Sequence, residues 1–255
     1  VKAGAALLML GAPLLMAQAQ PELVPDVSQR NIEIAYSFTG VELLLFGAIL
    51  YPGGRAPDPA EKPPEIVVVV KGPTESILVR EKEKVAGIWV NAESMRYRSA
   101  PSFYAIASPR PIRQIVDDRT RAIFELGLDS LQLSPASSAV PEVQQRFDRG
   151  LNDLRVRSGL YYEAPGAVEI TDGVLYRARL NIPARVPVGR FTAETFLIQD
   201  GRVVAAAVRP IDIRKSGFER FVAMSAERYS LAYGVIAVTL SVLFGWGAGA
   251  IWRRI

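Results

Sequence analysis

Residues 189–214, GRFTAETFLIQDGRVVAAAVRPIDIR, place two β-rich runs on either side of Asp200-Gly201. An Asp-Gly pair accepts positive φ at both central positions of a type I′ turn, whose twist matches the antiparallel strands it joins, so the stretch predicts a hairpin. The same signal stands upstream, where Asp172-Gly173 separates residues 168–171 from 174–182. Two hairpins in succession make this part of the chain antiparallel β structure.

Toward the N-terminus, Ile32, Ile34, Tyr36 and Phe38 alternate with polar or small residues, the period-two pattern of a half-buried strand; residues 21–28 read as a lead-in. Thr39-Gly40 marks a turn, and the more continuous apolar run of 42–50 predicts a strand covered on both faces. The prolines and glycines of 51–64 exclude regular structure there. Further strands are predicted at 66–71, 76–80, 85–91 and 102–107, with Gly72-Pro73 and the charged run 81–84 as turns. Strands this short and closely spaced pair antiparallel, because a parallel crossover takes a dozen or more residues.

After Pro111 the period changes. Ile112, Ile115 and Val116 with Ile123, Phe124 and Leu126 recur at helical spacing, and so do Val143, Phe147, Leu151, Leu154 and Val156 behind Pro141. Strands, helices, then strands predict a mainly β fold: an immunoglobulin-like antiparallel β-sandwich with a helical-hairpin insertion at about residues 112–158. The alternative is two β-units, one on each side of the helices.

Both ends carry apolar segments of another kind. Lys2 precedes an apolar run over 3–16, too short to cross a bilayer, and Ala17-Gln18-Ala19 follows; this order predicts a signal peptide over 1–19, cleaved after Ala19. Residues 231–252 hold no charge and are long enough, at 1.5 Å per residue, to cross a hydrocarbon core of about 30 Å. Tyr229, Tyr233 and Trp252 stand where amphipathic rings favour headgroups, and Arg253-Arg254 sets the orientation by the positive-inside rule. Phe218, Phe221, Val222 and Met224, with Glu219, Arg220, Glu227 and Arg228 between and after them, predict an amphipathic juxtamembrane helix over 218–230. The expected layout is a single-pass inner-membrane protein: residues 20–217 form a periplasmic β-rich domain, 231–252 a transmembrane helix and 253–255 a cytoplasmic C-terminal tail.

The 255 residues contain no cysteine and no histidine. Disulfides, thiolate catalysis, a Ser-His-Asp triad, histidine-ligated haem and the usual zinc sites all need one of those side chains. No catalytic residue, metal site or cofactor is predicted, and the chain reads as non-enzymatic. The net charge of +4 is spread among interspersed acids, which gives no nucleic-acid surface.

Several strings carry a family likeness: Phe38-Thr39-Gly40 through Glu42 to Ala48, Val69-Val70-Lys71-Gly72-Pro73, Gly87-Ile88-Trp89-Val90-Asn91, Pro101-Ser102-Phe103-Tyr104-Ala105 and Ser108-Pro109-Arg110-Pro111. Later come Ile182-Pro183, Val186-Pro187-Val188-Gly189 and Asp200-Gly201-Arg202-Val203-Val204. With these the chain resembles an alphaproteobacterial transmembrane protein family over nearly all of its mature length. The resemblance implies no reaction; it implies companionship with sulfite-exporter-type permeases, by association alone.

Among candidate binding residues, Trp89, Asn91, Arg96, Tyr97, Arg98, Phe103, Tyr104 and Arg110 gather rings, an amide and guanidinium groups. The guanidinium fork suits an oxyanion such as sulfite. Against this, Trp89 and Phe103 fit a sandwich core, with the arginines on a solvated edge. Asp117-Asp118 could serve a cation or acid-base chemistry, yet acids at a helix start are favoured by the macrodipole anyway. Glu142 with Arg146, and Arg149 with Asp153, are four apart and read as surface ion pairs. In the span, Ala237, Ser241, Gly245 and Gly249 recur every four residues and form a small-residue face for another helix. The expected partners are the inner membrane and, through that face, a polytopic permease or a second copy of the chain in a homo-oligomer. A stand-alone envelope-binding or assembly protein is the alternative, and an enzyme is the third option.

Overall fold

Both Asp-Gly turns form. Asp172 and Gly173 take φ of 52° and 65°, and Asp200 and Gly201 take 51° and 75°, the left-handed values that such turns require. The computed structural model describes residues 21–34, 40–54, 63–137, 139–215 and 217–252. The predicted signal peptide, Tyr36 and Phe38 of the first predicted strand, most of the proline-rich loop and Arg253-Arg254 lie outside the described residues.

The first seven strands are β1 (Glu22–Val27), β2 (Asn31–Ile34), β3 (Gly40–Leu50), β4 (Glu65–Lys71), β5 (Thr74–Val85), β6 (Ile88–Pro101) and β7 (Tyr104–Ser108). Helix α1 (Asp118–Phe124), the short β8 (Ser134–Pro135) and helix α2 (Pro141–Arg157) follow. Then come β9 (Tyr161–Pro165), β10 (Val168–Thr171), β11 (Leu175–Pro183), β12 (Gly189–Gln199) and β13 (Arg202–Lys215), before helices α3 (Gly217–Arg228) and α4 (Ser230–Trp252).

The strands make a four-stranded sheet, β1-β3-β11-β10, and a six-stranded sheet, β2-β13-β12-β4-β7-β9. Leu43, Leu45, Ala178 and Leu180 of the first share one buried cluster with Ile66, Val68, Ile106, Leu197 and Ile211 of the second, so the two sheets enclose a common core. Strands from both halves of the chain interleave within each sheet, β3 with β11 and β4 with β12, which removes the arrangement of two separate β-units. Two pairings depart from the antiparallel expectation: β13 with β2, and β7 with β9, are parallel. Their partners are distant in sequence, and the β7–β9 crossover contains both α1 and α2, the kind of long connection a parallel pair needs.

Three strand expectations change. The lead-in is β1, an edge strand whose Leu23, Pro25 and Val27 alternate inward; an edge tolerates the missing amide of Pro25. The apolar run of β3 is covered on one face only, with Leu43, Leu45 and Ile49 buried and Phe46 and Leu50 exposed. The strands covered on both faces are β4 and β7, which lie side by side inside the six-stranded sheet.

The largest departure lies between β4 and β7. The charged run 81–84 is no turn: β5 passes through it, and the chain reverses at Ala86-Gly87, with φ of 50° and 87°. β5 and β6 pair over their length and, with β8, form a third sheet apart from the sandwich. Solvent on both faces of the distal part removes the need for alternation, so charges can follow one another in the strand.

The helical segments do not pair with each other. Phe124 of α1 packs on Phe196 of β12, with ring centroids 5.6 Å apart, and Leu126 just beyond α1 joins the main core. α2 lays Phe147 and Leu151 against Val79, Met95 and Tyr97 of the β5–β6 hairpin, leaving Leu154 and Val156 exposed. α3 leads almost continuously into α4, since Tyr229 and Tyr233 keep helical hydrogen bonds of 3.0 and 2.8 Å to Ser225 and Tyr229 across the junction.

Candidate functional site

Residues Ser230–Gly249 of α4 form a helix long and apolar enough to cross a membrane, and none of it is buried in the chain. At 1.5 Å per residue its 20 residues reach about 30 Å, the thickness of a hydrocarbon core. Two hydroxyls in its middle are satisfied within the helix, Thr239 donating to the Val235 carbonyl and Ser241 to that of Ala237, each at 2.8 Å. That suits a medium without water. Steps of four residues turn a helix by 40°, so Ala237, Ser241, Gly245 and Gly249 share one face, and a Cβ on either glycine would meet open space.

The predicted binding residues are not brought together. Trp89 and Asn91 stand near the tip of the β5–β6 hairpin, opposite Lys84 and Lys82; Trp89 is 65 % exposed, which overturns its placement in the core. Arg96 and Arg98 are exposed further along β6, where Arg98 donates to the Ala136 carbonyl at 2.9 Å. Phe103 is in the core as expected, its ring against Phe191 and Tyr162. Tyr104 is fully buried, donating to the Glu125 carbonyl at 2.6 Å and accepting from the Gly127 amide at 2.9 Å. Burial pushes its phenol well above the ordinary tyrosine range. Arg110 lies at the opposite end of the sandwich, clamped on both carboxylate oxygens of Glu65 at 2.6 and 2.9 Å.

The acidic pair at the start of α1 has structural partners. Asp117 is the N-cap, accepting from the Thr120 amide at 2.8 Å, and hydrogen bonding to the Thr120 side chain, then to that amide, holds its carboxyl below the usual range. Asp118 pairs at 2.8 Å with the buried guanidinium of Arg121. On α2 the ion pairs form with other partners than the spacing predicted: Arg146 bridges Glu81 and Glu93 of the hairpin, and Asp153 takes Arg157.

One cluster had no signal beyond a charge inside an apolar strand. Lys71, at the end of β4, reaches Glu125 at 2.8 Å and Glu194 at 3.2 Å. These three line a cleft of about 350 Å3 floored by Phe124 and Phe196. Burial opposes the charge on Lys71, but the hydrogen bond to Glu125 and the charges of both carboxylates outweigh it and hold the ammonium above its ordinary value. Glu125 sits at φ 54°, costly for a non-glycine residue, and is held there by Lys71, Tyr104 and the Gln132 amide. Two carboxylates already neutralise this ammonium, so the cleft works as a lock between α1 and the sheet rather than an anion site. Among the described residues no group of three or more acidic side chains could hold a metal ion.

The family described as "Putative transmembrane protein (Alph_Pro_TM)" matches the chain over residues 22–254. No curated protein matches. Among solved structures, the crystal structure of Spo0M, a sporulation control protein from Bacillus subtilis, is similar at 10% identity and a TM-score of 0.27, covering 83% of this chain and 56% of that one. A likeness that low carries no argument, and the chain spans little more than half the length of that protein.

Proposed function

The chain belongs to this transmembrane protein family, and from that premise we propose that it is a membrane-anchored periplasmic accessory module that docks a polytopic membrane protein through α4. The observation that carries this is an apolar helix wholly unburied by its own chain, presenting a face of small residues beside a large β-domain. In lipid, small residues let helix backbones approach and gain packing that bulkier side chains deny. The partner class we propose, by the association that the resemblance implies and by nothing else, is an anion exporter of the inner membrane, with the β-domain at its periplasmic mouth. We read the module as non-enzymatic: the Lys71 ammonium is neutralised by Glu125 and Glu194, and the Arg121 guanidinium is paired with Asp118.

Crosslinking in native membranes, followed by identification of the attached chain, tests this. Gly245→Leu and Gly249→Leu add bulk to the proposed docking face and are expected to weaken crosslinking to a polytopic partner while leaving insertion intact. Gly247→Leu, which points to the other side of α4, is expected to leave it unchanged. Equal crosslinking in all variants would remove the helix-docking reading, and loss of a self-crosslink alone would replace it with a stand-alone homo-oligomer.

A further inference from the structure

The β5–β6 hairpin is a continuation of the pair β4–β7. The ladder passes from one to the other through Gly72 N–H to Phe103 O at 2.8 Å and Ser102 N–H to Pro73 O at 2.9 Å, and then through Thr74 opposite Pro101. Gly72 is required at this root, because a Cβ there would lie 2.6 Å from the Ser102 hydroxyl. The root also marks a particular end of the sandwich. Pro73 packs so closely on Gly189 that a Cβ on that glycine would come within 2.8 Å of the proline ring, and Gly189 pairs with Ile213, two positions before β13 ends. The arm therefore leaves the sandwich at the same end from which the chain passes into α3 and α4.

The arm is long enough to matter at that end. The 12 residues of β5 extend about 40 Å at about 3.3 Å each, whereas the 12 residues of α3 that separate the sandwich from the span cover about 18 Å. α2 covers the arm as far as Glu81 and Glu93. Arg146 ties down Glu81 and Glu93, and distal to that bridge the tip is Val85, Ala86, Gly87, Ile88, Trp89 and Val90, with Lys82, Glu83 and Lys84 behind it. Val85, Ile88 and Trp89 are 53 %, 69 % and 65 % exposed, whereas the other aromatics among the described residues of the β-domain are buried or half-buried, Phe46 apart. Cross-strand partners share a face, so Lys84 with Trp89, and Lys82 with Asn91, put two ammonium groups and an indole on one side.

We propose that the tip of this arm enters the headgroup layer of the bilayer that α4 spans, with anionic phospholipid as its ligand. Indole rings favour the boundary between headgroups and acyl chains, and ammonium groups beside them meet lipid phosphates. The tip is a second, reversible contact that holds the sandwich at a fixed tilt over the membrane. It rests on membrane insertion of α4 and not on the identity of any partner.

The test uses the full chain reconstituted in vesicles of phosphatidylethanolamine and phosphatidylglycerol. The remaining tryptophans, Trp246 and Trp252, lie in α4. With both replaced by Phe, Trp89 becomes the sole indole, and a companion variant, Trp89→Phe with Trp252→Phe, leaves Trp246 to report the span. Trp89 emission is expected to shift to the blue on reconstitution, to be quenched by acyl-brominated lipid and to lose its access to aqueous iodide. Lys82→Glu with Lys84→Glu is expected to reduce the lipid quenching. Trp89 open to iodide and untouched by brominated lipid, while Trp246 is quenched, would overturn the proposal and leave the anchor standing. Trp89 shielded from both quenchers would also overturn it, because protein and not lipid would then cover the tip.

Discussion

β4 and β5 follow one another through two residues of chain and share one continuous hairpin, yet their surroundings are opposite. In β4 the run Ile66 to Val70 is buried throughout, because β12 and β7 flank it and both faces of the sheet are covered. In β5 a single residue, Val79, is buried, because the ladder has left the sandwich and is covered only by α2 and the short segment around β8. Hydrogen bonding is the same in kind along both strands. What separates them is what lies above and below the sheet, and apolar burial, at about 25 cal/mol per Å2, is the larger source of stability.

That contrast can be broken by truncating an aromatic residue in each half of the same hairpin. Phe103→Ala, at the start of the buried half, is expected to destabilise the β-domain by about 3–5 kcal/mol in urea unfolding of the detergent-solubilised chain. Trp89→Ala, at the exposed end, is expected to change it by less than about 0.5 kcal/mol. Equal losses would mean that the arm and the sandwich are one packed unit.

A smaller effect isolates the arm. Leu151 of α2 is buried only against the arm cluster, so Leu151→Ala should lower the local stability of β5–β6 by about 2–4 kcal/mol. Amide hydrogen exchange is expected to quicken in β6 and to stay unchanged in β4. Faster exchange in β4 as well would erase the boundary between the two regions.

Alkaline pH sharpens the comparison from the other side, since most of the perturbed phenols belong to the sandwich. Burial pushes Tyr162 up to about 12, less so for the hydrogen bond from Asn181, and raises Tyr104 and Tyr161 as well. Their folded values exceed the unfolded value of about 10, so the folded state binds the phenolic proton more tightly. The associated stability is complete below about pH 10 and falls as pH rises toward about 12. Ionisation of Tyr104, Tyr161 and Tyr162, followed residue by residue by NMR, and loss of the β-domain should therefore appear together in that window; ionisation of these three well before any unfolding would contradict the burial of their rings.

The smallest expected change is at the turn. Ala86 holds φ 50°, a conformation that costs an L-residue about 1–2 kcal/mol. Ala86→Gly is expected to slow exchange of the Val85 and Ile88 amides by an amount worth about 1 kcal/mol and to leave the sandwich unaltered. No change at the tip would show that the turn is not strained.

Local signals were legible in the sequence. The two Asp-Gly turns, the Pro141 start of α2 and the uncharged span all depend on dihedral preference or on charge within a few residues, and each appears in the structure at its place; Gly72-Pro73, read as a turn, interrupts the strand without reversing the chain, since Lys71 opposite Tyr104 is followed by Thr74 opposite Pro101. The Asp117 cap is of the same kind. Of the candidate binding residues, the core position of Phe103 and the exposure of Arg96 and Arg98 were legible; Trp89 looked like a core residue because indole usually is one, and nothing nearby in sequence says that its strand leaves the sandwich. The Ala86-Gly87 reversal was hidden because alanine seldom takes positive φ, so the charged run beside it looked like the better turn.

What the sequence determined by itself was therefore the β content, the tight hairpins and a terminal helix suited to a bilayer, each set by short-range conformational energy or by the absence of charge over about 20 residues. What only the tertiary structure decided was coverage: that β1 pairs at an edge, that α1 and α2 serve different clusters, that Lys71 meets Glu125 and Glu194, and that β5–β6 stands out from the sandwich with an apolar tip. Coverage depends on segments far apart in the chain, whose meeting is fixed by the whole packing and not by any window of sequence.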